Sequence, residues 1–146
     1  MNASIKSQIF TRILANFQGL LDAQVFASIT RELDPVKSSQ VMPSLMIYDG
    51  DESEVSRDTR GRTCEFPLGL KILFEAPTGL ADKKDELVPQ IQAIMETDIQ
   101  LNGLAVVVDG GEEQPFINEI GSPVGGALLF YTVQYRRVRG DPSATY

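Results

Sequence analysis

TCEFPLGLKILFEA, residues 63–76, decides the fold. Cys64, Phe66, Leu68, Leu70, Ile72, Phe74 and Ala76 fall on one side of an extended chain, whereas Thr63, Glu65, Gly69, Lys71 and Glu75 fall on the other. Side chains of a strand alternate with a period of two, so this pattern predicts a strand with one face on the core and one on water or a partner. Upstream, Ser44 to Tyr48 reads as a shorter strand, bounded by Pro43 and by the turn pair Asp49-Gly50. The intervening residues 49–62 are almost wholly polar, with acids first (Asp51, Glu52, Glu54) and arginines after (Arg57, Arg60, Arg62), and read as a long exposed excursion.

Further out the period changes. Ile5, Ile9, Ile13, Phe17 and Leu20 recur at steps of three and four, with Phe10, Leu14 and Leu21 widening the stripe, which predicts an amphipathic helix capped by Ser4 and ending near Leu21 or Asp22. Val25, Ala27 and Ile29 alternate with Phe26, Ser28 and Thr30 as a strand would, and Asp34-Pro35 breaks it. After Pro77-Thr78-Gly79, the residues Leu80, Leu87, Ile91, Ile94, Met95 and Thr97 carry a second helix, with Asp82, Asp85 and Glu86 near its positive end. Pro89 implies either that the regular helix begins near Val88 or that it bends there. Two strands close the chain, Leu104 to Asp109 and Gly126 to Val138, across a Gly- and Pro-bearing connector from Gly110 to Gly125. The order α-β-β-β-α-β-β predicts an α+β fold: a mostly antiparallel sheet of about five strands with both helices on one face. At 146 residues the chain is expected to form a single domain, 1–146, with an exposed excursion at 49–62 and a C-terminal arm at 136–146.

Composition narrows the chemistry. A net charge of −7 opposes binding of nucleic acid, which requires clustered cations to displace counterions from phosphate. One cysteine, Cys64, excludes an internal disulfide and suits a reducing compartment, and the absence of histidine removes the usual base and the thiolate–imidazole metal site. The N-terminus has no signal-peptide pattern and no apolar run approaches the length of a membrane span, so neither export nor membrane insertion is expected.

Candidate chemical motifs mostly dissolve on inspection. Cys64 sits on the apolar side of its strand, where a thiol packs as a small hydrophobe rather than reacting. Asp49-Gly50-Asp51-Glu52-Ser53-Glu54 opens like a calcium loop, yet Glu54 stands where the turn needs glycine and Arg60 where a bidentate glutamate belongs. Asp109-Gly110-Gly111 and Gly125-Gly126 lack phosphate-loop and dinucleotide spacing and read as turns, and Glu112-Glu113 reads as solvated loop surface. No catalytic, metal-binding or cofactor-binding residue is therefore assigned, and no cofactor is expected. Two clusters remain: Arg57, Arg60 and Arg62, and Arg136, Arg137 and Arg139 with Asp141 and Tyr146 beyond them. They read either as charge balance at strand ends or as planar forks for the carboxylates of a neighbouring copy.

The C-terminal third carries a family likeness. Asp98-Ile99-Gln100-Leu101-Asn102-Gly103-Leu104-Ala105, then a strand, a glycine-bearing connector, and a last strand ending Tyr131-Thr132-Val133-Gln134-Tyr135-Arg136-Arg137 before Asp141-Pro142, resembles the tail terminator (tail completion) proteins of long-tailed bacteriophages. The resemblance in element order extends over nearly the whole chain, and the motif itself is short. It implies a structural virion protein without catalytic residues: a ring, usually hexameric, that caps the tail tube, ends its polymerisation and presents its other face to head completion or neck proteins. The implied location is the tail–neck junction of the virion, after assembly in the host cytoplasm. Subunit and partner contacts are then expected at the excursion 49–62 and the tail 136–146. Rival readings are another neck or head–tail joining component, a tail tube subunit, and, from a different class, a small acid-dependent enzyme or a ligand-binding dimer.

Overall fold

A computed structural model describes residues 3–32, 42–76, 78–117 and 124–146. In chain order they form α1 (Ile5–Asp22), β1 (Ser28–Arg31), β2 (Ser44–Asp49), β3 (Ser53–Arg57), β4 (Gly61–Glu75), α2 (Leu80–Thr97), a short 3-10 turn (Leu101–Gly103), β5 (Val107–Ile117) and β6 (Val124–Val138). The six strands make one sheet in the order β1-β2-β4-β6-β5, with β3 added beside the first residues of β4. β1 and β2 run parallel and the other pairs antiparallel. The fold is thus the expected α+β class with a mostly antiparallel sheet, plus one strand more.

β4 is the spine of the sheet. It is matched to β6 residue for residue, from Gly61 opposite Val138 to Glu75 opposite Val124. The predicted alternation holds: Cys64, Phe66, Leu68, Leu70, Ile72 and Phe74 are buried, as are Ala127, Leu129, Tyr131, Val133 and Tyr135 on β6. They join Ile5, Ile9, Phe10, Ile13 and Phe17 of α1 and Leu87, Val88, Ile91 and Met95 of α2 in one apolar cluster, which puts both helices on the same face. Phe66 lies at its centre, stacked on Phe10 with ring centroids 5.9 Å apart and edge-on to Tyr135 at 6.0 Å.

The helix ends follow from capping chemistry. Ser4 accepts a hydrogen bond from the Ser7 N–H (3.1 Å), satisfying one of the free donors of the first turn of α1. α2 runs unbroken from Leu80, and Pro89 stands inside it, neither starting nor ending the helix. Pro89 is on the exposed side, so the carbonyl it leaves without a donor faces water. Beyond α2, Asp98 locks the helices together: one carboxylate oxygen accepts from Arg12 and Asn16 of α1, both at 2.9 Å, and the other from the Asn102 N–H at 3.2 Å. Hydrogen bonding from Asn16, then from Arg12, holds this carboxyl below its ordinary range against the opposing effect of burial.

Several expectations require correction. The first strand begins only at Ser28, and Phe26, buried just before it, supplies the core contact. Residues 49–62, read as a long exposed excursion, contain a strand the sequence did not show: Ser53–Arg57 form β3, which folds back on β4 as a hairpin, and every one of its residues is exposed. The glycine pairs are not turns. Gly110 and Gly111 adopt φ values of 128° and 104° inside β5, where the register slips against β6 as a bulge, and Gly125-Gly126 lie within β6. A glycine-rich bulge lets a strand continue with a stronger twist. β5 therefore runs on to Ile117, so Glu112 and Glu113 are strand residues and not loop surface. The Asp34-Pro35 break lies outside the described residues.

Candidate functional site

The six arginines singled out from sequence meet at one end of the sheet. The hairpin turn is built by Asp58, whose carboxylate accepts the N–H groups of Arg60 (2.8 Å) and Gly61 (3.2 Å), while the Asp58 N–H donates to the Gly61 carbonyl (2.9 Å). An aspartate bonded to the backbone just ahead of it is a standard way to hold a tight turn. At the end of β6 a second turn closes with the Asp141 N–H on the Val138 carbonyl (3.0 Å), and Gly140 supplies the left-handed φ of 77°. The Arg139 N–H donates to the Arg60 carbonyl at 2.7 Å and ties the two turns together. Residues beyond 140 fold back: the Pro142 carbonyl accepts from the Ile5 N–H (2.8 Å) and the Ser143 carbonyl from Gln8 of α1 (3.0 Å).

Register then places like charges side by side. Arg57 pairs with Arg62 across β3 and β4, and Arg62 pairs with Arg137 across β4 and β6. Three arginines thus stand in a row across three neighbouring strands, which sit about 4.8 Å apart. Directly opposed like charges destabilise a ladder. Among the described residues only Glu54 offsets the row: it takes a forked pair of bonds from Arg57 (2.7 and 2.8 Å) and lies 3.8 Å from Arg62. Hydrogen bonding from Arg57 is the main cause that holds the Glu54 carboxyl below its ordinary range. Among the described residues Arg136, Arg137 and Arg139 make no ion pair, and the Nε of Arg62 is buried without an acceptor. Arg57, Arg62, Arg137 and Arg139 surround a cleft of about 260 Å³. Beside it, Arg60 and Arg136 lie 4.8 and 5.8 Å from the centre of the Tyr146 ring.

Lys6 and Arg31, by contrast, are spent inside the fold. Lys6 bonds Asp49 at 2.7 Å and lies over the Phe66 ring, and Arg31 lies 3.6 Å from Asp49 and over the Phe10 ring. Tyr135 donates its hydroxyl to Glu52, and its pKa rises first through burial and then through that bond. Of the four acids in the stretch that opens like a calcium loop, Asp49, Glu52 and Glu54 are each taken by a partner in the protein, and no cluster of metal-ligating side chains occurs among the described residues. Cys64 is buried, and burial followed by the nearby Glu52 charge pushes its thiol up, away from the reactive thiolate.

Sequence reasoning found the arginines but not their company. Glu54 and Asp58 as internal counter-charges, and the row created by register, depend on which strands pair. Asp141 accepts from the Ser143 N–H and hydroxyl and so shapes the second turn.

No protein-family model matches the chain, and no curated protein sequence matches it. Among solved structures it is similar to a chain from the virion of a native gene transfer agent particle, with a TM-score of 0.51 and 11% sequence identity over 92% of this chain and 96% of that one. At that identity the likeness is one of fold, and it extends nearly from end to end of both chains.

Proposed function

We propose that this chain is a structural subunit of a phage-like virion, of the tail terminator type. It works as a ring, usually of six copies, that caps the tail tube, stops its growth and offers its other face to the head or neck. The observation that carries the reading is the near end-to-end fold likeness to a chain of a gene transfer agent virion. The arginine-rich end supports it, because six basic side chains gathered on an acidic chain are suited to docking onto protein carboxylates. Function on this reading resides in surfaces rather than in a catalytic site, and it sits at the tail–neck junction.

The test is a nonsense mutation in the genome that encodes the chain. Tails of uncontrolled length that fail to join heads are the expected result. Tails of normal length without heads would reassign the chain to a neck or head–tail joining role. Absence of any tail, together with purified chain that stacks into long tubes, would make it a tube subunit. Normal infectious particles would refute a virion role altogether.

A further inference from the structure

The two ends of β4 carry opposite charge. At the Gly61 end stand Arg57, Arg60, Arg62, Arg136, Arg137 and Arg139 against Glu54, Asp58 and Asp141. At the Glu75 end stand Glu75, Asp82, Asp85, Glu86 and Glu113 against Lys71, Lys83 and Lys84. Lys84 is held by Glu113 (3.0 Å) and Asp85 (3.8 Å), and Lys83 by Glu86 (3.6 Å), while Glu75 and Asp82 have no ion pair among the described residues. Fifteen residues of extended chain separate the ends by about 45 Å, so neither end neutralises the other within one molecule.

The spacings also agree. Asp82, Asp85 and Glu86 are exposed, and Asp82 stands three residues before Asp85 and four before Glu86 on α2, which puts its Cβ about 5–6 Å from each of theirs in one acidic patch. The arginine row repeats at about 4.8 Å. Beside the acidic patch, Phe74, Leu80, Ala81 and Pro115 line an apolar cleft of about 470 Å³, which adds apolar contact to the charge complement.

From this geometry we infer that the arginine-rich end of one copy docks on the acidic end of the next, with Arg57, Arg62 and Arg137 meeting the Asp82, Asp85 and Glu86 patch. The contact is head-to-tail, so repetition closes into a ring or continues as a filament according to the angle between copies. It rests on the assembly reading above and specifies which surfaces meet. The cleft receives carboxylates from the neighbour on the exposed guanidinium groups of its arginines.

Charge exchange tests this directly, by sedimentation of the full chain at up to about 1 mM in about 20 mM and about 0.5 M salt, where screening lengths differ severalfold. Wild-type chain is expected to associate in low salt and to dissociate in high salt. Arg137→Glu with Arg139→Glu, and separately Glu75→Arg with Asp82→Arg, should each weaken association by at least about tenfold. Mixing the two variants should restore it, because each reversed end then finds its complement. If the α2 substitutions disturb the fold by circular dichroism, Asp85→Arg with Glu86→Arg replaces them. Wild-type chain that stays monomeric in low salt, or weakened variants that mixing does not restore, would overturn the contact. So would loss of binding to a DNA duplex, rather than of self-association, in the Arg137→Glu, Arg139→Glu chain. Failure here leaves the virion role to be judged by the nonsense mutation, and failure there leaves the contact to be judged by sedimentation.

Discussion

Gly61→Ala should open the arginine-rich end without changing its charge. A Cβ at Gly61 would stand 1.9 Å from the Arg137 carbonyl oxygen and 2.8 Å from the Tyr146 ring, where ordinary contact begins at 3.4 Å. The oxygen belongs to backbone held in the β4–β6 ladder, so the strands must part by about 1.5 Å at this point. A bond near 2.9 Å stretched by that amount is no longer a hydrogen bond. Losing two ladder or turn bonds at about 1 kcal/mol each gives a local cost of about 2 kcal/mol. That is about a 30-fold rise in local opening. Amide exchange measures it: the Arg139 N–H, bonded to the Arg60 carbonyl at 2.7 Å, should lose about 30-fold in protection. The amides of Ile72 and Leu129, deep in the core, should change little. Were the full cost global, the thermal midpoint would fall by about 6 °C, and local fraying keeps the fall smaller. Unchanged protection at Arg139, or equal losses at Arg139 and Leu129, would refute the reasoning.

Phe66→Ala removes a ring with no exposure, stacked on Phe10 and edge-on to Tyr135, and should cost about 3–5 kcal/mol in urea unfolding. A loss below about 1.5 kcal/mol would mean that the neighbouring rings collapse into the space. Asp98→Asn should cost about 1 kcal/mol at pH 7, since the carboxylate accepts from Arg12 and Asn16. The folded carboxyl lies below its unfolded value, so its contribution is complete above the ordinary aspartate range and fades as pH falls through the folded value. The gap between wild type and variant in urea should therefore narrow from pH 7 to pH 3, and a gap that widens would reverse the assigned sign.

How much of this could be read from the chain depends on whether a feature is local. The alternation from Cys64 to Phe74, and the steps of three and four from Ile5 to Leu20, are imposed by one buried face each, so burial writes them into consecutive residues. β3 could not be found that way. Ser53 to Arg57 are all exposed, and a strand with no buried face has no period to show. Gly110-Gly111 misled for a different reason: positive φ serves a turn and a bulge alike, and only pairing with β6 tells them apart. The arginines were visible as two clusters far apart in sequence, but their row exists only because Arg57, Arg62 and Arg137 share a register position.

That row is where the fold departs from its own habits. Elsewhere among the described residues cations have local uses: Lys6 and Arg31 cover aromatic rings and hold Asp49, Arg12 holds Asp98, and Lys84 joins α2 to β5. A chain selected only for stability would break the Arg57–Arg62–Arg137 row with a carboxylate on β6, since opposed cations about 5 Å apart repel by up to about 1 kcal/mol even in water-like surroundings. Instead Arg137 has no ion pair among the described residues and the Arg62 Nε has no acceptor. Local rules are consistent across a natural fold except where function opposes them. The row lies beyond Cys64, the last residue of β4 that belongs to the buried apolar cluster, so its repulsion disturbs the core least. On the contact proposed above, repulsion that an isolated copy tolerates becomes attraction when the neighbour's carboxylates arrive, and the assembled chain is favoured over the solitary one.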